Sequence, residues 1–324
     1  GIYLLTVTNL DNNCETISTV IVDEDTVAPI VEAGANAELT CVVTSLNLDG
    51  TSSSQGNHFQ YSWTTTNGNI LSGQGTATPQ IDAPGTYELN ILNTTNGCES
   101  TDMVTIGQNT ISPDAAATTT QDLTCVQGEV PILGTGSSIG IDFTYEWTTQ
   151  TGNISGDIND LNSSANQPGI YEILVTNNAT GCTNTAQIEV SQNITPPIAS
   201  AAVNDILTCA VQSLNLDGQN SSQGSDFEYS WTTQNGNILT GSTSISPLVD
   251  APGTYQILVT NQINGCTSTD AILVVQDITP PTVLIANPGV LTCLIETIDL
   301  DASNSSQGTD YQYNWTTQNG NILS

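Results

Sequence analysis

Lysine and arginine are absent from this 324-residue chain, which carries 32 Asp and Glu, a single His and a formal charge of −32. A polyanion with no cationic side chain has nothing to hold phosphates, which argues against nucleic acid and anionic membrane as partners. Protein salt bridges are removed with the cations, leaving the carboxylates to water and counter-ions. Without lysine there is no Schiff base and no lysine-based isopeptide cross-link. With His58 alone, no recurring Ser-His triad or His-based metal site can be built. His58 stands where the other copies of the pattern below carry Asp142, Asp226 and Asp310, and reads as a solvent-facing residue. No run of about 18 apolar residues occurs, so no segment is suited to crossing a bilayer as a helix.

What the chain has is repetition. Phe59-Gln60-Tyr61-Ser62-Trp63 places an aromatic at every second position, and only a β-strand puts such residues on one face. The stretch returns at Phe143 to Trp147, Phe227 to Trp231 and Tyr311 to Trp315, and Trp63, Trp147, Trp231 and Trp315 lie 84 residues apart. Their period-two setting among Ser, Thr and Gln assigns these four Trp to cores rather than to sugar-stacking platforms. The expected domains are therefore one unit repeated: 1–28 the C-terminal strands of a truncated repeat, complete sandwiches at 29–112, 113–196 and 197–280, and 281–324 the N-terminal part of another. Gly1-Ile2-Tyr3 aligns with Gly85-Thr86-Tyr87, and Ser324 falls mid-repeat, so the chain reads as a segment of a longer polypeptide.

Within 29–112, strands are expected at Pro29 to Val31, Glu38 to Val43, Ser45 to Asp49, Phe59 to Thr65, Asn69 to Ser72, Gly85 onward and Met103 to Ile106. Asn67-Gly68 reads as a hairpin turn with positive φ at both central residues, and Asn96-Gly97 as a second tight turn. About seven short strands with turn signals every 8–12 residues make a β-sandwich. Tyr87, Tyr171 and Tyr255, each opening the penultimate strand, resemble the tyrosine corner of immunoglobulin-like folds.

The eight cysteines keep the same ruler: Cys41, Cys125, Cys209 and Cys293 are 84 apart, as are Cys14, Cys98, Cys182 and Cys266. Two per repeat and no Cys-x-x-Cys indicate a disulfide framework and an oxidising compartment. Pairing within a repeat closes a loop of 57 residues and pairing across a boundary one of 27. Loop entropy separates the two by only about 0.6 kcal/mol. The expectation is the within-repeat set, Cys41–Cys98, Cys125–Cys182 and Cys209–Cys266, because it staples one small core and leaves the boundary free to flex. Cys14 and Cys293 would then pair outside the segment.

Leu-Thr-Cys, Leu-Asp-Gly with a Ser-rich turn, Tyr-x-Trp, Pro-Gly-Thr-Tyr and Asn-Gly-Cys follow one another in each copy. Cys41, Leu48, Asp49, Gly50, Tyr61, Trp63, Gly85, Tyr87, Gly97 and Cys98 carry the pattern in one, and Cys209 to Cys266 in another. It resembles the PKD-like and SprB-type immunoglobulin-like repeats of giant surface adhesins from gliding Bacteroidota. Departures are Leu133 in place of the Asp and Asn13 in place of the Gly before Cys14. The resemblance implies an all-β tandem array of β-sandwiches, export to the cell surface by the type IX route, and service in filaments for adhesion, gliding or prey capture.

Among ligands, calcium is the one candidate, with Asp23, Asp25 and Asp277 near the expected joints supplying hard oxygens. No other cofactor is expected. Few carboxylates recur at one repeat position (Asp82 and Asp250 match, but the copy between has Asn166), so a catalytic pair is not expected and the chain is read as a non-enzyme. Partners are neighbouring repeats and other copies in a bundle. The function expected is a structural shaft segment of an extracellular adhesin or filament. The alternative is a carbohydrate-binding array contacting glycans through Ser52 to Gly56 and Gly73 to Asp82.

Overall fold

The computed structural model describes residues 1–323, and every regular element among them is a β-strand. The chain divides into two compact units, residues 1–193 and residues from 194 onward.

The first unit opens with a hairpin, β1 (Ile2–Thr8) on β2 (Glu15–Ile21), exposed along its whole length. Seven strands follow: β3 (Ala37–Thr40), β4 (Leu46–Asn47), β5 (Phe59–Thr65), β6 (Ile70–Ser72), β7 (Gln80–Ile81), β8 (Gly85–Asn93) and β9 (Glu99–Asn109). They form a four-stranded sheet, β3-β9-β8-β5, and a three-stranded one, β4-β7-β6. Alternation drives the assembly: Tyr87, Leu89 and Ile91 are wholly buried on one face of β8, and Trp63 meets Leu89 across the ladder. Ile81 from the opposite sheet joins them, so both sheets share one core. The second sandwich repeats the plan with β10 (Leu123–Thr124), β11 (Val130–Leu133), β12 (Phe143–Thr149), β13 (Asn162–Ala165), β14 (Gly169–Asn177), β15 (Thr183–Val190) and β16 (Gln192–Asn193). Its core holds Trp147, Tyr171, Ile173 and Val175.

The second unit contains β17 (Leu207–Thr208), β18 (Leu214–Asn215), β19 (Phe227–Gln234), β20 (Ile238–Thr240), β21 (Leu248–Val249), β22 (Gly253–Asn261), β23 (Thr267–Val274) and β24 (Gln276–Asp277) around Trp231, Tyr255, Ile257 and Val259. The protein is an all-β array of immunoglobulin-like sandwiches.

Three expectations need correction. The stretch Tyr311 to Trp315 forms no strand, and Trp315 is 38% exposed, against 1–3% for Trp63, Trp147 and Trp231. A strand exists through its ladder, and no described residue pairs with 311–315. Residues 29–31 are likewise not a strand. The Asn67-Gly68 turn is also not a hairpin, because β5 pairs with β8 while β6 pairs with β7 in the other sheet. Neither Asn67 nor Gly68 has positive φ. Glycine is required there for space, since a Cβ on Gly68 would lie 2.4 Å from the Tyr87 hydroxyl.

That hydroxyl explains the repeated Gly-Thr-Tyr. Tyr87 Oη donates to the Ala83 carbonyl at 2.6 Å and accepts from the Asn69 N–H at 3.1 Å. Tyr171 and Tyr255 do the same with Gln167 and Asn153, and with Ala251 and Asn237. Each tyrosine thus fastens the corner at which the chain leaves one sheet for the other. The indole N–H of each core Trp is satisfied by a backbone carbonyl: Thr76 for Trp63, Asp160 for Trp147, Ser244 for Trp231.

Candidate functional site

The site with distinctive chemistry is the joint between the first and second sandwiches, and it is assembled from two short motifs. In Leu39-Thr40-Cys41, Leu39 is buried as an anchor. The Thr40 N–H then bonds the Val43 carbonyl at 2.9 Å, and Thr40 Oγ1 accepts from the Val43 N–H at 3.1 Å. This tight turn holds Cys41 and Val42 at its tip. Thr124 with Gln127 and Thr208 with Val211 close the same turn around Cys125 and Cys209. In the second motif, the β14–β15 turn closes with the Gly181 N–H on the Asn177 carbonyl at 2.7 Å, Gly181 having φ +68°. Positive φ and crowding both demand glycine here: a Cβ would lie 2.4 Å from Val42 Cγ1.

These two turns meet in a disulfide, Cys41–Cys182, with Cα atoms 5.0 Å apart and a sequence separation of 141. The bond joins one sandwich to the next. Around it the Asn184 amide donates to the Pro113 carbonyl at 2.9 Å, tying the linker to the second sandwich. Cys182 is buried.

The within-repeat pairs are therefore overturned. Cys98 and Cys209 are free thiols, which removes Cys41–Cys98 and Cys209–Cys266, and Cys182 is held by Cys41 rather than Cys125. The reason lies in the sheet. β3 runs parallel to β9, with Thr40 opposite Asn109, so Cys41 emerges at the C-terminal end of β9. Cys98 sits just before its N-terminal end. Eleven residues of strand separate the two ends, roughly 35 Å at 3.3 Å per residue. A disulfide tolerates Cα atoms no more than about 7 Å apart. Cys125 and Cys266 are also disulfide-bonded, and Cys14 and Cys293 are free and exposed.

Other candidates fall elsewhere. Among the described residues no three His, Cys, Asp or Glu side chains gather where a metal ion would be held. Asp25 accepts from the Asn96 amide at 3.1 Å and the Val27 N–H at 3.3 Å. The Thr279 N–H, bonding Asp277 at 3.0 Å, holds that carboxyl below its ordinary range. Asp23 is exposed, and His58 is exposed beside Phe59 with ring centroids 5.5 Å apart. Trp315 lines a groove with Val283, Ile285, Tyr311 and Tyr313.

A role the sequence reading missed belongs to the Ser-rich loops. Ser53 Oγ accepts from the Glu32 N–H at 2.9 Å and donates to the Glu32 carbonyl, while Ser54 Oγ accepts from the Ile30 N–H at 2.9 Å. Ser137 with Ser138, Ser221 with Ser222, and Ser305 with Ser306 bind the equivalent incoming segments. The strict Ser-Ser dipeptide at 84-residue spacing was the available signal.

No family model matches the chain. The mouse protein described as "Dyslexia-associated protein KIAA0319 homolog" is 25% identical over 307 residues, which is 84% of this chain and 28% of that protein's length. A titin segment of three immunoglobulin domains aligns at 12% identity over 78% of this chain and 99% of its own, with a TM-score of 0.36. Immunoglobulin domains 1–5 of Sidekick-1 align at 12% identity over 80% and 62%, with a TM-score of 0.25.

Proposed function

We propose that this chain is a structural segment of a long extracellular adhesin or surface filament, serving adhesion, gliding or prey capture by carrying load between other parts of the assembly. The observation that carries the reading is the covalent tie between successive sandwiches, Cys41–Cys182. A bond that joins domains rather than stapling one core makes sense where domains are pulled apart. Disulfides also persist in oxidising surroundings, which supports a position outside the cell, and export by the type IX route fits the sequence resemblance. The uniform negative charge suits an exposed fibre that must not stick to its copies. The loops of the glycan-binding alternative are in part committed elsewhere, Ser53 and Ser54 being engaged by the backbone of residues 30–32.

The test is surface labelling of intact producing cells with an antibody to residues 29–193, paired with trapping of thiols before lysis. Labelling of unbroken cells together with oxidised Cys41 and Cys182 is expected. Signal only after permeabilisation, with both thiols reduced, overturns the reading.

A further inference from the structure

We propose that the Cys41–Cys182 bond is a tension bypass, which routes pulling force around both sandwich cores of the first unit instead of through them. Such a bypass gives a mechanism to the mechanical role proposed above and rests on that reading for its biological meaning.

Within the first unit, force entering near residue 30 and leaving near residue 192 has two covalent routes, the further bond made by Cys125 leading out of that span. One follows the backbone through both sandwiches; the other leaves it at Cys41, crosses the disulfide and rejoins it at Cys182, 141 residues further on. The short route becomes taut first, and the long one stays slack for as long as the bond is intact. Of the buried residues of the first core only Ala33 and Leu39 lie outside the bypassed loop, and of the second only Val190. The linker at residues 109–113 lies inside it, so the two sandwiches cannot be drawn apart either. The short route is itself well anchored: β3 is bonded along β9, Leu123 and Thr124 pair with Gln192 and Asn193, and Leu39 is buried. A bridge within one sandwich would have left the linker and the stretches outside its loop under load. The observed placement shields both cores and the joint with one bond.

The test is single-molecule stretching of the full chain, with handles coupled at residues 30 and 192, before and after a phosphine reductant. In the oxidised protein the bypassed loop, a sequence separation of 141, should release no length, and reduction should add about 500 Å of contour at some 3.6 Å per residue. A Cys41→Ala, Cys182→Ala variant should give the long trace without reductant. Should that variant fold poorly, in-place reduction of the natural chain reads the same quantity. Equal contour length before and after reduction overturns the proposal. Cell-surface labelling reports separately on the adhesin reading, so a cytosolic location with an intact bypass would sink that reading and leave the mechanics standing.

Discussion

Tyr171 shows how one hydroxyl can organise a corner. It donates to the Gln167 carbonyl at 2.6 Å, accepts from the Asn153 N–H at 2.9 Å, and forces glycine at position 152, where a Cβ would lie 2.2 Å away. Tyr171→Phe keeps the buried ring and removes only the bonds, so it should cost about 1–3 kcal/mol, the range for leaving such groups unpaired. Faster hydrogen exchange at Asn153, with a lower unfolding midpoint, checks it; an unchanged amide would show the hydroxyl to be idle. Asp49 makes a different kind of prediction. Its carboxyl is held below the ordinary 3.8, first by the Thr51 hydroxyl at 2.6 Å and then by the Thr51 N–H. A depressed folded pKa contributes stability that is present above the unfolded value and lost as pH falls through the folded one. The Thr51 amide should therefore titrate below pH 3.8 in an NMR series, and Asp49→Asn should flatten the curve. An inflection at or above 3.8 would contradict the capping role.

Among elements, the incoming segment at residues 30–33 is the least conventional, being fastened by side chains where a strand would use a ladder. Ser53 is 5% exposed and satisfies both backbone groups of Glu32. Ser53→Ala should cost about 1–3 kcal/mol and unprotect the Glu32 amide while leaving β8 and β9 protected; uniform loss of protection would instead mean general destabilisation. Aromatic alternation made the long strands legible in the sequence, because burial of one face is a local property that residue order encodes. The edge strands were less so. A two- or four-residue strand carries too little alternation to show which neighbour it takes, and the parallel pairing of β3 with β9 left no local trace. The disulfide error followed from that: spacing constrains loop length, and going from 57 to 141 residues changes closure entropy by only about 0.8 kcal/mol. Non-reduced peptide mapping should recover a Cys41–Cys182 species with Cys98 alkylated. A Cys41–Cys98 species would reverse the assignment.

For the whole molecule the governing quantity is a charge of −32 with no lysine or arginine to oppose it. No carboxylate has a Lys or Arg to meet, and the folded chain gathers the negative charges closer together than the unfolded chain does. Repulsion therefore weighs more on the native state and acts against it. Its reach is set by salt: screening acts beyond about 30 Å at 0.01 M and about 8 Å at 0.15 M. Raising sodium chloride between those concentrations removes repulsion from the native state preferentially, so the melting temperature should climb and then level off as the screening length falls below the spacing of neighbouring carboxylates. In most proteins added salt also weakens native ion pairs, which muddies the sign; here the acidic side chains have no Lys or Arg to pair with. Calorimetry across that range decides it, and a flat or falling melting temperature would show that the carboxylates are spaced too widely for their repulsion to matter.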